Sequence, residues 1–149
     1  MNWRALSCYH PWALLMALGE KTVETRSYPV AYRGPLVICS TKQTPRRCRE
    51  LIHTWPFLLE PELRMDLPAG AALCVVELVN CLPVEAIQKM HGDSLPDYEL
   101  SYGDYSPGRY AWVTCNLRRL RNPVPVSGYQ SLWKVPPELQ QRIEAEFEL

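Results

Sequence analysis

The chain has 149 residues, the length of one ordinary domain, and 47% of them are apolar, enough for a core and too many for wholesale disorder. Its 16 Lys and Arg balance 16 Asp and Glu, which argues against strong non-specific nucleic-acid binding but leaves room for a local basic cleft. Fourteen prolines, each removing an N–H donor and fixing φ, exclude a simple helix bundle and predict short elements with a substantial β component.

In chain order, Leu6–Tyr9 reads as a short strand. Pro11 suits the first helical position, and Trp12, Leu15 and Met16 repeat at helical spacing, so a buried two-turn helix is predicted over 11–18. Gly19 follows as a helix terminator able to take positive φ. A strand should then carry Glu24 and Arg26 on one face, because residues two apart point together. Lys21 can join them only from the preceding turn. Tyr32-Arg33-Gly34-Pro35 reads as a turn and Leu36–Ser40 as a strand buried on both faces. A surface helix is predicted over 45–55, with Cys48, Leu51, Ile52 and Trp55 inward, and a proline-punctuated loop over 56–68.

Ala72–Cys81 is the best strand pattern. Glu77 lies in it with Val75 and Val79 on either side, and an unpaired buried carboxylate costs several kcal/mol. Glu77 should therefore meet a cation, be protonated or face a cleft; the alternative is a solvated edge strand. A short helix over 83–90, a polar and aromatic loop over 91–106 and a strand from Gly108 to about Leu120 follow. The prolines of Asn122–Val126 suggest a separate edge segment, and a terminal helix runs over 136–147. No repeat, linker or low-complexity tract divides the chain, so residues 1–149 read as one domain.

The charges are unevenly spread. Lys42, Arg46, Arg47 and Arg49 cluster, as do Arg118, Arg119 and Arg121, and 12 of the 16 cations are arginine, which suits bidentate phosphate contact. The six cysteines form no C-x-x-C pair, and several sit in apolar runs as small core residues. No metal and no cofactor are expected. No apolar run is long enough to span a bilayer and no leader pattern opens the chain, which gives the expectation of a cytoplasmic protein with reduced thiols and no membrane partner.

Read together, three stretches are familiar: Leu6-Ser7-Cys8-Tyr9-His10-Pro11-Trp12-Ala13, Gly19-Glu20-Lys21-Thr22-Val23-Glu24-Thr25-Arg26 and Tyr32-Arg33-Gly34-Pro35. With Gly108-Arg109-Tyr110-Ala111-Trp112 and Pro123–Gly128 they resemble the ASCH domain family, over roughly residues 4–135. The resemblance implies an α+β, PUA-like fold: a small mixed or antiparallel β-barrel with helices packed outside, and a cleft beside the Gly-x-Lys-x-x-Glu motif. It also implies an RNA or modified-nucleoside partner. Some bacterial members are amidohydrolases that deacylate N4-acetylcytidine with a lysine, a threonine three residues on and a later glutamate; other members act as ribonucleases.

Carried over residue by residue, Lys21 matches the lysine and Glu77 the later glutamate. The third position is Glu24 instead of threonine, and His10 stands where the family usually has Gln. A hydroxyl nucleophile is thereby missing. Two carboxylates beside Lys21 would make it a charge clamp, leaving Glu24 or Glu77 to activate water.

Lys21, Glu24 and Glu77 form the catalytic expectation, and Trp12, Arg26, Ser40, Lys42, Tyr105 and Arg109 the substrate-binding one. Three readings stand: an RNA- or nucleoside-binding module, a hydrolase in the same cleft, and a non-catalytic domain that contacts a protein partner. Oligomeric state is left open by the sequence.

Overall fold

The computed structural model describes residues 2–54, 57, 67–89, 97–129 and 131–147. Six strands form one sheet in the order β2-β5-β4-β3-β1-β6. They are β1 (Arg4–Cys8), β2 (Val23–Arg26), β3 (Gly34–Ser40), β4 (Ala71–Pro83), β5 (Tyr110–Pro125) and β6 (Leu132–Lys134). The pair β1–β3 is parallel and the other pairs are antiparallel. The sheet is therefore mixed and curls into a half-barrel.

Strand alternation explains why both sheet faces are buried. Leu6, Leu36 and Ile38 point to one face, where Ala13 and Met16 of α1 (Trp12–Leu18) cover them together with Val76, Leu78 and Trp112. Ala5, Val37 and Cys39 point to the other, against Trp3, Val75, Val124, Trp133 and Ile143.

Helix α1 ends where expected. Gly19 adopts φ 79°, and its N–H bonds to the Met16 carbonyl at 3.1 Å while Glu20 N–H bonds to Leu15 at 3.0 Å. A side chain at Gly19 would also press on Leu117. The turn that follows releases the chain into β2.

Several boundaries differ from the sequence reading. The helix predicted over 45–55 is shorter: α2 (Arg46–Glu50) gives way to a 3₁₀ turn at Leu51–His53. Trp55 lies outside the described residues, as does most of the 56–68 loop. After α3 (Val84–Lys89), the segment read as loop contains a helical turn, α4 (Asp97–Ser101), while residues 90–96 lie outside the described set.

Asn122–Pro125 is no separate segment but the end of a continuous β5. β2 pairs with β5 only as far as Val113, and past the isolated Leu120–Phe147 bridge the end of β5 has β4 on one side, with Val124 opposite Ala72 and Pro125 opposite Ala71. A missing proline donor there disrupts no second ladder. The terminal helix α5 (Pro137–Glu144) places Ile143 in the core.

All six cysteines are free, four of them buried. Among the described residues no helix is long and apolar enough to cross a membrane, and no group of three His, Cys, Asp or Glu could hold a metal ion.

Candidate functional site

The two ends of the sheet order are β2 and β6. β6 pairs with β1 only at Arg4–Leu6, so Ser7 and Cys8 continue beyond it. There β2 approaches β1 without a backbone ladder. Arg26 bridges the seam, its Nη2 donating to the Ser7 carbonyl at 3.1 Å and lying 3.5 Å from Cys8 Sγ. A cavity of about 930 Å³ opens at this seam.

At its base is a buried charge relay. Glu24 Oε1 lies 3.2 Å from Lys21 Nζ, and Oε2 accepts from Arg26 at 2.9 and 3.2 Å. Lys21 Nζ also donates to the Val23 carbonyl. Lys21 meets the condition set by strand parity: it sits in the turn while Glu24 and Arg26 belong to β2. Burial by itself would push the Glu24 carboxyl up, but Lys21 and Arg26 outweigh it and hold the group below its ordinary range. The Cys8 thiol is pushed far up by burial and by the Glu24 charge, so it is not a ready thiolate. Lys21 is 2% exposed and stands behind Glu24, which itself lines the cavity.

A second carboxylate, unforeseen in the sequence, completes the cluster. Glu99 of α4 is buried and accepts from Thr22 N at 2.9 Å and Val23 N at 2.8 Å. Burial raises its carboxyl above the ordinary value, against the pull of those amides and of Lys21. Glu99 thus anchors α4, and the chain beyond it, to the turn that carries Lys21. Two further ties hold this wall. Asp104 N donates to Thr25 Oγ1 at 3.2 Å, and Arg109 Nη2 donates to the Thr25 carbonyl at 3.1 Å. Gly103 is required by close approach, because a Cβ there would sit 2.9 Å from the Tyr105 ring.

The cavity gathers Trp12, Arg26, Ser40, Lys42 and Arg109 with Glu24, as the sequence reading grouped them. Of the three other expected members, Lys21 stands behind Glu24 and two fall elsewhere. Tyr105 is buried in a separate apolar cluster with Val23, Val84 and Ile87, and Tyr102 is the tyrosine that faces the cavity. Glu77 is half-buried and lines a different, smaller cleft with Pro35, Asn116 and Arg118. Its apolar neighbours do not enclose it, since Val79 is 49% exposed and the β4–β5 register shifts on both sides of Glu77. Glu77 thus faces a cleft, as one of the expected alternatives had it, but on a strand paired on both sides and in a cleft apart from Lys21; Glu99 takes the place of a second carboxylate near Lys21.

One wall of the cavity is aromatic. The Trp12 and Phe57 rings meet edge to face at 5.7 Å, and Phe57 and Tyr102 are 5.8 Å apart. The Trp12 indole N–H is fixed by the Tyr102 carbonyl at 2.8 Å. Of the cations lining the cavity, Arg26 pairs with Glu24 and Arg109 with Asp104, whereas Lys42 is exposed and pairs with no carboxylate among the described residues. Ser40 is turned inward, its hydroxyl bracketed by the Ala71 backbone at 3.2 and 3.3 Å. It shapes the floor and is not offered to a ligand.

A half-barrel of this topology with helices packed on it is a PUA-like fold, and the comparisons place the chain within that class. The family model of the ASCH domain matches residues 6–124, and the chain belongs to that family. It is 32% identical over 140 residues to human "Activating signal cointegrator 1" and 30% identical to the mouse protein. Those matches cover 91% of this chain but 23% of each relative's length. Among solved structures, the ASCH protein of Zymomonas mobilis aligns over 98% of this chain and 96% of its own, with TM-score 0.60 and 15% identity. A mutant of the same protein gives TM-score 0.59 at 16% identity.

Proposed function

We propose that residues 1–149 act as one RNA-binding domain that takes an unstacked nucleotide into the seam cavity. The observation that carries this reading is the meeting, in one cavity, of three kinds of group: the aromatic wall of Trp12 and Tyr102, the ionised Glu24, and Lys42, a cation with no carboxylate partner among the described residues. Aromatic faces stack on bases, and single-stranded RNA is recognised in this way. An ionised carboxylate only accepts hydrogen bonds, so Glu24 favours the amino edge of a base, such as N4 of cytosine. Lys42 supplies a charge for the phosphate.

The hydrolase reading has one observation in its favour, the Lys21–Glu24 contact beside the cavity. It is the weaker reading. A carboxylate held below its ordinary range by two cations is a poor general base, and Lys21 stands behind Glu24, away from a ligand. The relatives' name, a signal cointegrator, suits a protein-docking role. Against that reading, the large exposed apolar residues among those described are few, and two of the three, Tyr9 and Tyr129, line the cavity itself.

Titration of a short cytidine-rich RNA at several salt concentrations tests the binding reading. Affinity should fall with salt, and Lys42→Ala should lower the slope of log K against log salt by about 0.7, the value of one single-strand phosphate contact. A salt-independent response, or no binding by the wild type, would sink it. Turnover of N4-acetylcytidine by the wild type, lost in Lys21→Ala, would establish the hydrolase instead.

A further inference from the structure

The cavity is larger than one nucleoside needs. At about 930 Å³ it lies near the top of the roughly 300–1,000 Å³ range of small-ligand clefts. It is also lined by a second aromatic group from a different part of the chain. Tyr129, in the connection between β5 and β6, lines the cavity and is 69% exposed, the most exposed large apolar side chain among the described residues.

An exposed tyrosine is ordinarily unremarkable, but this one has its backbone tied to Ser7 and its ring against Trp133. Its carbonyl accepts the Ser7 hydroxyl at 3.0 Å, and the same hydroxyl accepts the Trp133 indole N–H at 3.2 Å. The Tyr129 ring meets Trp133 at 5.7 Å and 74°, an edge contact that leaves at least one ring face open. Gly128 lets the backbone come this near, since a Cβ would lie 3.1 Å from Ser7 Oγ. Ser131 holds φ 60°, a left-handed conformation uncommon for a residue with a side chain, and it too lines the cavity. An aromatic on a tied backbone, with a ring neighbour on one edge and an open face, loses less freedom than an unsupported one when a base stacks on it.

We propose that Tyr129 is a second base site of this cavity, so that its ligand is a single-stranded polynucleotide read at two adjacent bases and not a lone nucleoside. The proposal rests on the nucleotide reading of the Trp12–Tyr102 site. Lys42, exposed on the same cavity, supplies charge for the linking phosphate. Ser7 ties the two sites together, because its carbonyl bonds Arg26 of the first and its hydroxyl bonds the Tyr129 backbone of the second.

The test compares three probes on the full chain: cytidine 5′-monophosphate, the 5′-phosphorylated dinucleotide of cytidine, and the same dinucleotide with its second base removed. The dinucleotide should bind about tenfold more tightly than the mononucleotide, the gain of one stacked base. The abasic probe, equal to it in charge, should lose that gain. Tyr129→Ala should abolish the gain while leaving mononucleotide affinity unchanged, and Tyr129→Phe should keep it. Equal binding of the dinucleotide and its abasic form by the wild type would overturn the proposal, as would a Tyr129→Ala variant that weakens both ligands alike. Failure of the wild type to bind any of the three probes would instead overturn the first site on which the proposal depends.

Discussion

Glu24 and Glu77 each stand in a strand, and each has apolar or small neighbours in sequence, yet they occupy opposite environments. Glu24 is sealed at the seam, with a cation on each carboxylate oxygen. Glu77 is half-buried and faces a separate cleft, just before β4 becomes exposed at Val79 and Asn80. The difference does not come from burial propensity, since both side chains are glutamate. It comes from whether the fold brings cations into contact with the carboxylate: Lys21 and Arg26 pair with Glu24, whereas Arg118 shares the Glu77 cleft without an ion pair to it. A glutamate enters the interior where Lys21 comes round a glycine-terminated helix and Arg26 follows two residues along the strand.

Breaking the Glu24 side of this comparison should have the largest effect. Lys21→Met leaves a buried carboxylate oxygen without its cation, and stability should drop by about 3–5 kcal/mol in urea unfolding. A loss under about 1 kcal/mol would mean that Arg26 alone satisfies the carboxylate.

The pH dependence sharpens the same contrast at intermediate size. The folded state holds the Glu24 carboxyl below its ordinary value of 4.5, so the native chain binds that proton less tightly than the unfolded chain does. Its contribution is present above the ordinary carboxylate range and is lost as pH falls through the folded value. Glu99 runs the other way: its raised carboxyl adds stability that is lost as pH rises through its own folded value. Acid unfolding followed by circular dichroism should therefore show a flatter low-pH limb in Glu24→Gln than in the wild type. An unchanged limb would show that Glu24 does not govern it.

The smallest effect belongs to Glu77. Glu77→Gln should alter stability by no more than about 0.5 kcal/mol and leave RNA affinity unchanged. A larger change in either quantity would return Glu77 to the site.

The parts of the site that could be read from sequence are those fixed by local geometry. Gly19 stops a helix, the turn carries Lys21, and a period of two aligns Glu24 with Arg26. Glu99 could not be read, because its partners are the amides of Thr22 and Val23, and every residue but proline offers an amide. The choice between Tyr102 and Tyr105 depended on the helical turn of α4, in a segment with no apolar period to reveal it. Glu77 was misplaced because alternation assumes an unbroken ladder, and the register shifts between Val75 and Glu77 and again between Leu78 and Asn80. The fold was more legible than the site: both-face burial of β3, the long β4 and the terminal helix followed from pattern alone.

The way the barrel closes has a mechanical consequence. A backbone ladder has one spacing, fixed by its hydrogen bonds, and it opens only by losing several of them together. Between β1 and β2 the closure is made by side chains, chiefly a guanidinium on a jointed stem reaching from Arg26 to Ser7 and Cys8, with the Cys8 thiol 3.5 Å from Glu24 beside it. Rotamer changes can let such a clasp out or draw it in while every strand keeps its partners. The stiffness of the molecule therefore resides in its sheet, and its compliance is concentrated at the one gap where a ligand would enter.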